Sequence, residues 1–151
     1  MNLGLFMMPV HHPEKGLSRT IKEDMETIIK GDRLGFDEAW VGEHFTIPWE
    51  NLPAPDLFIS KALGLTENIK LGTGVVLLQL HDPKDLAHRI AMLDYLAEGR
   101  LLFGVGTEEF RLNTSFSGLH RTTGTLEQPK FWTLYYRSGR LMDHSTTKVS
   151  S

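Results

Sequence analysis

Cysteine is absent from all 151 residues, which removes disulfides, zinc thiolates and thiol nucleophiles at once. An excess of one charge sign is missing too. Sixteen Lys and Arg stand against 19 Asp and Glu, and the net charge of -3 gives nucleic acid or an anionic membrane nothing to bind. No apolar run approaches the roughly 20 residues of a spanning helix. The N-terminal MNLGLFMMPV is apolar but lacks a basic flank and a small-residue cleavage site, so it reads as a first strand rather than a signal peptide. The expectation is a soluble cytoplasmic protein without nucleic-acid or membrane partners. Its length is enough for one domain with a real core.

Up to Thr107, strand and helix patterns alternate. LGLFMMP (3–9) is a continuous apolar run closed by a proline, as in a buried strand. SRTIKEDMETIIKGDRLG then takes a helical period. Ile21, Met25, Ile28 and Ile29 share a face, and Thr20 with Glu23 has the spacing of a capping box. DEAWVGEH reads as a second strand. TIPWENLPAP follows as a loop, since its three prolines oppose regular pairing. DLFISKALGLT reads as helix and IKLGTGVVLLQL as the strongest strand. In DPKDLAHRIAMLDYLAEG, Asp82 is placed to cap, Pro83 to open, Leu86, Ile90 and Leu93 to face a core, and Gly99 to stop the helix. RLLFGVG is a fourth apolar strand. Strands apolar on both faces, separated by amphipathic helices, predict an α/β fold with a parallel sheet. Four strands and three helices suit either part of a (β/α)8 TIM barrel or a small doubly wound sheet.

Beyond Thr107 the composition shifts. Leu, Ile and Val account for 29 of the first 107 residues but 6 of the last 44, while Ser and Thr rise from 8 to 13. The boundary is therefore drawn at 107, with 1–107 as β/α units and 108–151 as a divergent Ser/Thr-rich tail. Within the tail only KFWTLYYRSGRLMDH (130–144) has the form of a β-hairpin, turning at RSGR.

Ligands of parallel α/β folds sit at the C-terminal ends of the strands. Here those ends read MMPVHH, GEH, LLQLHD and GVGTEE, each with polar or glycine chemistry. Several readings compete. His11 and His12 serve either a site or an ordinary loop, and His81 either a site or the turn before Asp82. Gly104 and Gly106 are ligand or turn glycines; GVGTEE has Glu109 where a dinucleotide fingerprint needs its third glycine. Glu43 and His44 are a site or a buried ion pair, and two polar groups after an apolar strand are costly to desolvate. No His-x-His lies on a strand and no His-Glu-x-x-His on a helix, so no metal is expected.

In combination, GFDEAWVGEHFT, the proline-broken loop ending PAPDLF, and IKLGTGVVLLQLHDPKDLAHRIAMLDYLAEGRLLFGVG resemble the bacterial luciferase-like, flavin-dependent monooxygenases, over about residues 1–107. The resemblance implies a (β/α)8 barrel binding reduced FMN, or in some branches the deazaflavin F420, at its C-terminal mouth. It implies oxygenation of a small organic substrate by O2, with the reduced flavin supplied by a reductase. On it, His44 corresponds to the active-site histidine and Glu43 to its acidic neighbour at the cofactor. Phe6 and Thr73 fall among the cofactor-binding positions. Gly74 and Val75 correspond to a pair often joined by a cis peptide under the flavin ring, and Gly106 and Thr107 to the fourth strand end beside it. An imidazole there could hydrogen-bond the ring or manage a proton.

Departures accompany the likeness. Phe45 stands where many members have a second histidine, Gln79 where many have proline, and Thr107 and Glu108 where many have Arg-Gly at the flavin phosphate. Members run to about twice this length or more. A truncated or frame-shifted chain with reduced or no activity is therefore expected, the alternative being a non-catalytic half-barrel stabilised by self-association. A half-barrel leaves LGLFMMP and RLLFGVG as apolar edges, and an open inner face exposing residues such as Leu5, Val76 or Leu102, depending on which face each occupies. A homodimer joined through those edges is expected.

Overall fold

The computed structural model describes residues 2–106. In chain order the elements are β1 (Gly4–Met7), α1 (Leu17–Arg33), β2 (Glu38–Val41), β3 (His44–Ile47), β4 (Glu50–Leu52), α2 (Pro55–Leu63), β5 (Lys70–Leu77), α3 (Pro83–Ala97) and β6 (Leu101–Gly106). β1, β2, β5 and β6 form a parallel sheet in that order. The expected α/β architecture, β/α units of a partial (β/α)8 barrel, is present, and the first and last of these strands are the edges of the described sheet.

Register divides the sheet into two faces. Leu5, Ala39, Leu71 and Leu101 stand side by side, and Phe6, Trp40, Gly72 and Leu102 form the next row on the opposite face. The first face carries the helices. Ala39 and Leu71 are fully buried, packed with Met25 and Ile28 of α1, Phe58 and Ile59 of α2, and Leu86, Ile90 and Leu93 of α3. The second face is open at β1, where Phe6 is 67 % exposed. Leu5 and Val76 occupy the covered face and so are not among the residues the open face exposes. Leu5 packs towards α1, so close that a Cβ on Gly31 would stand 2.7 Å from its Cδ1, and Val76 belongs to the buried core. The reason for Val76 is a slip in pairing. Between the pairs Thr73–Phe103 and Val76–Val105, β5 advances three residues and β6 two, which inverts the alternation of β5. Leu102 does lie on the open face, half-buried.

Two local expectations are corrected. α1 begins at Leu17, so Thr20 lies inside its first turn and donates to the Leu17 carbonyl instead of capping. Glu23 turns to Lys15 and Arg19, whose hydrogen bonds hold its carboxyl below the ordinary range. The segment read as loop contains the β3–β4 hairpin. Its prolines miss the ladder, because Pro48 occupies the two-residue turn with Trp49 and Pro53 follows the last paired residue.

α3 follows its sequence signals closely. Asp82 accepts from the N–H groups of Lys84 and Asp85, Pro83 opens the helix, and Glu98 and Gly99 end it in left-handed conformations. Asp32, near the end of α1, accepts from the N–H groups of Glu67, Asn68 and Ile69 and so ties α1 to the loop before β5. Arg89 of α3 pairs with Asp56 of α2. No helix among the described residues is long and apolar enough to cross a membrane.

Candidate functional site at the strand ends

β2 stops at Val41, earlier than the sequence suggests, and Gly42 and Glu43 continue past the sheet before His44 opens the hairpin. The Gly42 N–H bonds the Met7 carbonyl, which keeps the turn against β1. A Cβ on Gly42 would stand 3.1 Å from Met8 Sδ and 3.4 Å from both the Gly74 carbonyl oxygen and His44 Cδ2. The ends of β1 and β2 and the middle of β5 therefore converge on this glycine, with the imidazole at its side.

Glu43 and His44 are both buried, but they do not pair with each other. Glu43 Oε2 accepts the Leu77 N–H at 2.7 Å, and Oε1 lies 2.8 Å from His81 Nε2. The acid thereby ties the end of β2 to the end of β5. His44 turns to the hairpin instead: its Nδ1 lies 3.0 Å from Glu50 Oε2. That contact is off the hydrogen-bonding direction, so the buried nitrogen has an electrostatic neighbour but no hydrogen bond. His11 at the end of β1 is bonded through Nε2 to both oxygens of Asp24 on α1, at 3.0 and 2.9 Å. His12 sits edge-on to Trp49, ring centres 5.0 Å apart. The strand-end histidines are thus divided among separate partners.

The floor beside this cluster is made of aromatic rings over glycines. Trp40 lies across Gly72, where a Cβ would come 2.5 Å from the indole, and Gly74 leaves room for Phe6 and Trp40 at 3.2 Å each. The Gly74–Val75 peptide is cis, as the resemblance implied, and it falls within the slip that inverts β5. Val75 is half-buried and approaches Gly106, whose Cβ would stand 2.8 Å from Val75 Cγ2. Thr73 has another task. Fully buried, its hydroxyl donates to the Gly104 carbonyl at 2.8 Å and accepts the Gly104 N–H at 3.0 Å, holding β6 where the register changes. Thr107 and the 130–144 hairpin lie outside the described residues.

Glu50 was missed by sequence reasoning because it sits in a segment read as loop. Once the Pro48–Trp49 turn is recognised, hairpin pairing brings β4 back beside His44. His81 was flagged, but its bond to Glu43 spans 38 residues and has no local signature.

An apolar, glycine-relieved floor of aromatic rings with a buried imidazole beside it fits the ring system of a flavin. The segments MMPVHH (7–12), GEH (42–44) and LLQLH (77–81) contain no Lys or Arg, so they offer the ring a surface and the phosphate no cation.

A model of the luciferase-like monooxygenase family matches residues 1–128. The chain belongs to that family. The match runs beyond the composition shift at Thr107. Among curated relatives, limonene 1,2-monooxygenase of Rhodococcus erythropolis is 36% identical over 119 residues, 79% of this chain and 31% of the relative. Among solved structures, the oxygenating constituent of 3,6-diketocamphane monooxygenase from Pseudomonas putida, in complex with FMN, superposes with TM-score 0.73 at 30% identity. That likeness covers 80% of this chain and 33% of the other. The coenzyme F420 dependent tetrahydromethanopterin reductase of Methanopyrus kandleri gives TM-score 0.53 at 25% identity, covering 80% of this chain and 30% of that one. The chain spans about a third of the length of these relatives. Within this luciferase-like chain, the Gly42–His44 corner is where β1, β2 and β5 meet the hairpin.

Proposed function

We propose that this chain carries part of the active site of a flavin-dependent monooxygenase, acting on a small organic molecule with O2 and reduced FMN. The observation that carries the reading is the buried His44 ring, 7 % exposed, beside a floor of Phe6, Trp40, Gly72 and Gly74. Bound there, reduced FMN would supply the electrons that activate O2. His44 would hold or move a proton at the reacting edge. Glu43 would set the place of His44 by fixing the preceding residue to Leu77 and His81. The aromatic floor would exclude water from one face of the ring. Gly106 would close the far side from β6, and Thr73, Gly74 and Val75 would shape the support beneath. FMN is favoured over F420 by the closer likeness to the FMN-bound oxygenase. The reading includes a cytoplasmic setting, where a reductase can supply reduced flavin, and low turnover by this chain alone.

The test is an anaerobic titration with reduced FMN and, in parallel, reduced riboflavin. Binding through the ring alone predicts weak and nearly equal affinities. Each charge-assisted phosphate bond that is not made costs about 1.5–3 kcal/mol, so the lack of two or three costs several powers of ten. Tight, phosphate-dependent binding would refute the ring-only account. No binding of either flavin at millimolar concentration would overturn the flavin reading and leave a half-barrel that self-associates.

A further inference from the structure

We infer that Glu50 is a positioning residue for His44, holding the imidazole in the tautomer protonated at Nδ1 so that Nε2 keeps the lone pair. Its meaning for the reaction rests on the flavin reading of His44; its geometry does not.

A neutral imidazole has one N–H and one lone pair, and an ionised carboxylate only accepts. Glu50 Oε2 stands 3.0 Å from Nδ1 of a ring that is 7 % exposed. A lone pair on Nδ1 would face the carboxylate oxygen directly, a repulsion that burial amplifies. A proton on Nδ1 converts the same distance into attraction. Among the described residues no other group hydrogen-bonds this nitrogen, so none of them opposes the preference. Glu43, the adjacent acid, is committed to Leu77 and His81 and leaves Glu50 as the acid at Nδ1.

The position of Glu50 is built by backbone. It pairs with Ile47 across the hairpin turn and forms an isolated bridge with Val10, while the neighbouring Trp49 carbonyl accepts the His11 N–H at 2.7 Å. His11 is anchored in turn to Asp24 of α1. None of these bonds uses the Glu50 side chain, which is 24 % exposed. Substitution there therefore removes the carboxylate and spares the hairpin. A ring with its proton fixed on Nδ1 presents Nε2 as the basic atom, and a fixed tautomer is the prerequisite of a defined proton acceptor.

The test is long-range 1H–15N NMR of the imidazoles in labelled protein without flavin. It is read at the alkaline end of a pH series, where the rings are neutral, with the His44 signals assigned from His44→Gln. Wild type should show His44 protonated at Nδ1. Glu50→Ala should shift the population towards the Nε2-protonated form while the backbone spectrum keeps its dispersion. Glu50→Gln keeps the size of the side chain but removes its charge, and should shift the population in the same direction as Glu50→Ala. An Nε2-protonated His44 in wild type would overturn the inference, even if both variants failed to fold. So would a tautomer unchanged by Glu50→Ala. Undiminished reduced-FMN binding by His44→Ala would overturn the flavin reading instead, leaving the tautomer result intact.

Discussion

Glu43 and His81 stand 38 residues apart in sequence and 2.8 Å apart in space. The other oxygen of Glu43 takes the Leu77 N–H, so one buried carboxylate fastens the ends of two parallel strands. A group that closes two bonds in a dry setting leaves both partners stranded when it is removed.

Glu43→Ala should therefore destabilise the protein by about 3 kcal/mol, the range for removing a buried hydrogen-bonded carboxyl and orphaning a buried N–H. Urea unfolding followed by circular dichroism measures it. Glu14→Ala, which removes an 89 % exposed side chain, serves as the control and should leave the midpoint in place. Equal midpoints for all three proteins would show that the Glu43 contacts contribute nothing.

His44→Ala should weaken reduced-flavin binding at least tenfold while the circular dichroism spectrum stays native. His144→Ala, in the tail, should bind as wild type does. The contrast is the point of the experiment: equal losses in both variants would contradict the assignment of the site to the strand ends.

Asp32 predicts an acid limb to stability. Burial pushes its pKa up, but the N–H groups of Glu67, Ile69 and Asn68 and the charge of Arg100 outweigh that and hold it below the ordinary value. A carboxyl lowered in the folded state stabilises fully above its unfolded pKa of about 3.9 and loses that contribution as pH falls through the folded pKa. Asp32→Asn should then cost about 1–3 kcal/mol at neutral pH. The gap from wild type should narrow as the medium is acidified below pH 4. A gap constant from pH 7 to pH 2 would rule out the ionised Asp32 as its source.

Association is the fourth expectation. Phe6, Met8 and Val10 expose apolar side chains along β1 and its end, and β1 and β6 bound the described sheet. We expect a homodimer using those edges together with part of the tail. Light scattering at low micromolar concentration should give twice the chain mass of 17.1 kDa, and Phe6→Glu should shift it towards one. A stable wild-type monomer under those conditions would refute the dimer.

Much of the scaffold is legible in the sequence because its causes are local. The Asp82–Pro83 start and Gly99 stop of α3 act within one turn of chain, and the apolar runs at 3–9, 69–80 and 101–106 each contain one strand of the sheet. The capping box failed because Thr20–Glu23 spacing is also common inside a helix, and here Lys15 and Arg19 claim Glu23. The hairpin was hidden because composition counts prolines without knowing whether each falls on a paired position.

By itself, then, the sequence determined the alternation of strands and helices, the strand ends on which chemistry had to lie, and the family. The partners of the site residues were decided by tertiary structure. Glu43 chose His81, His44 faced Glu50, and Val76 turned inward through a slip of one residue. The reason is that a buried charge takes the partner nearest in space, and in a parallel sheet that distance is set by register and crossover, not by separation along the chain.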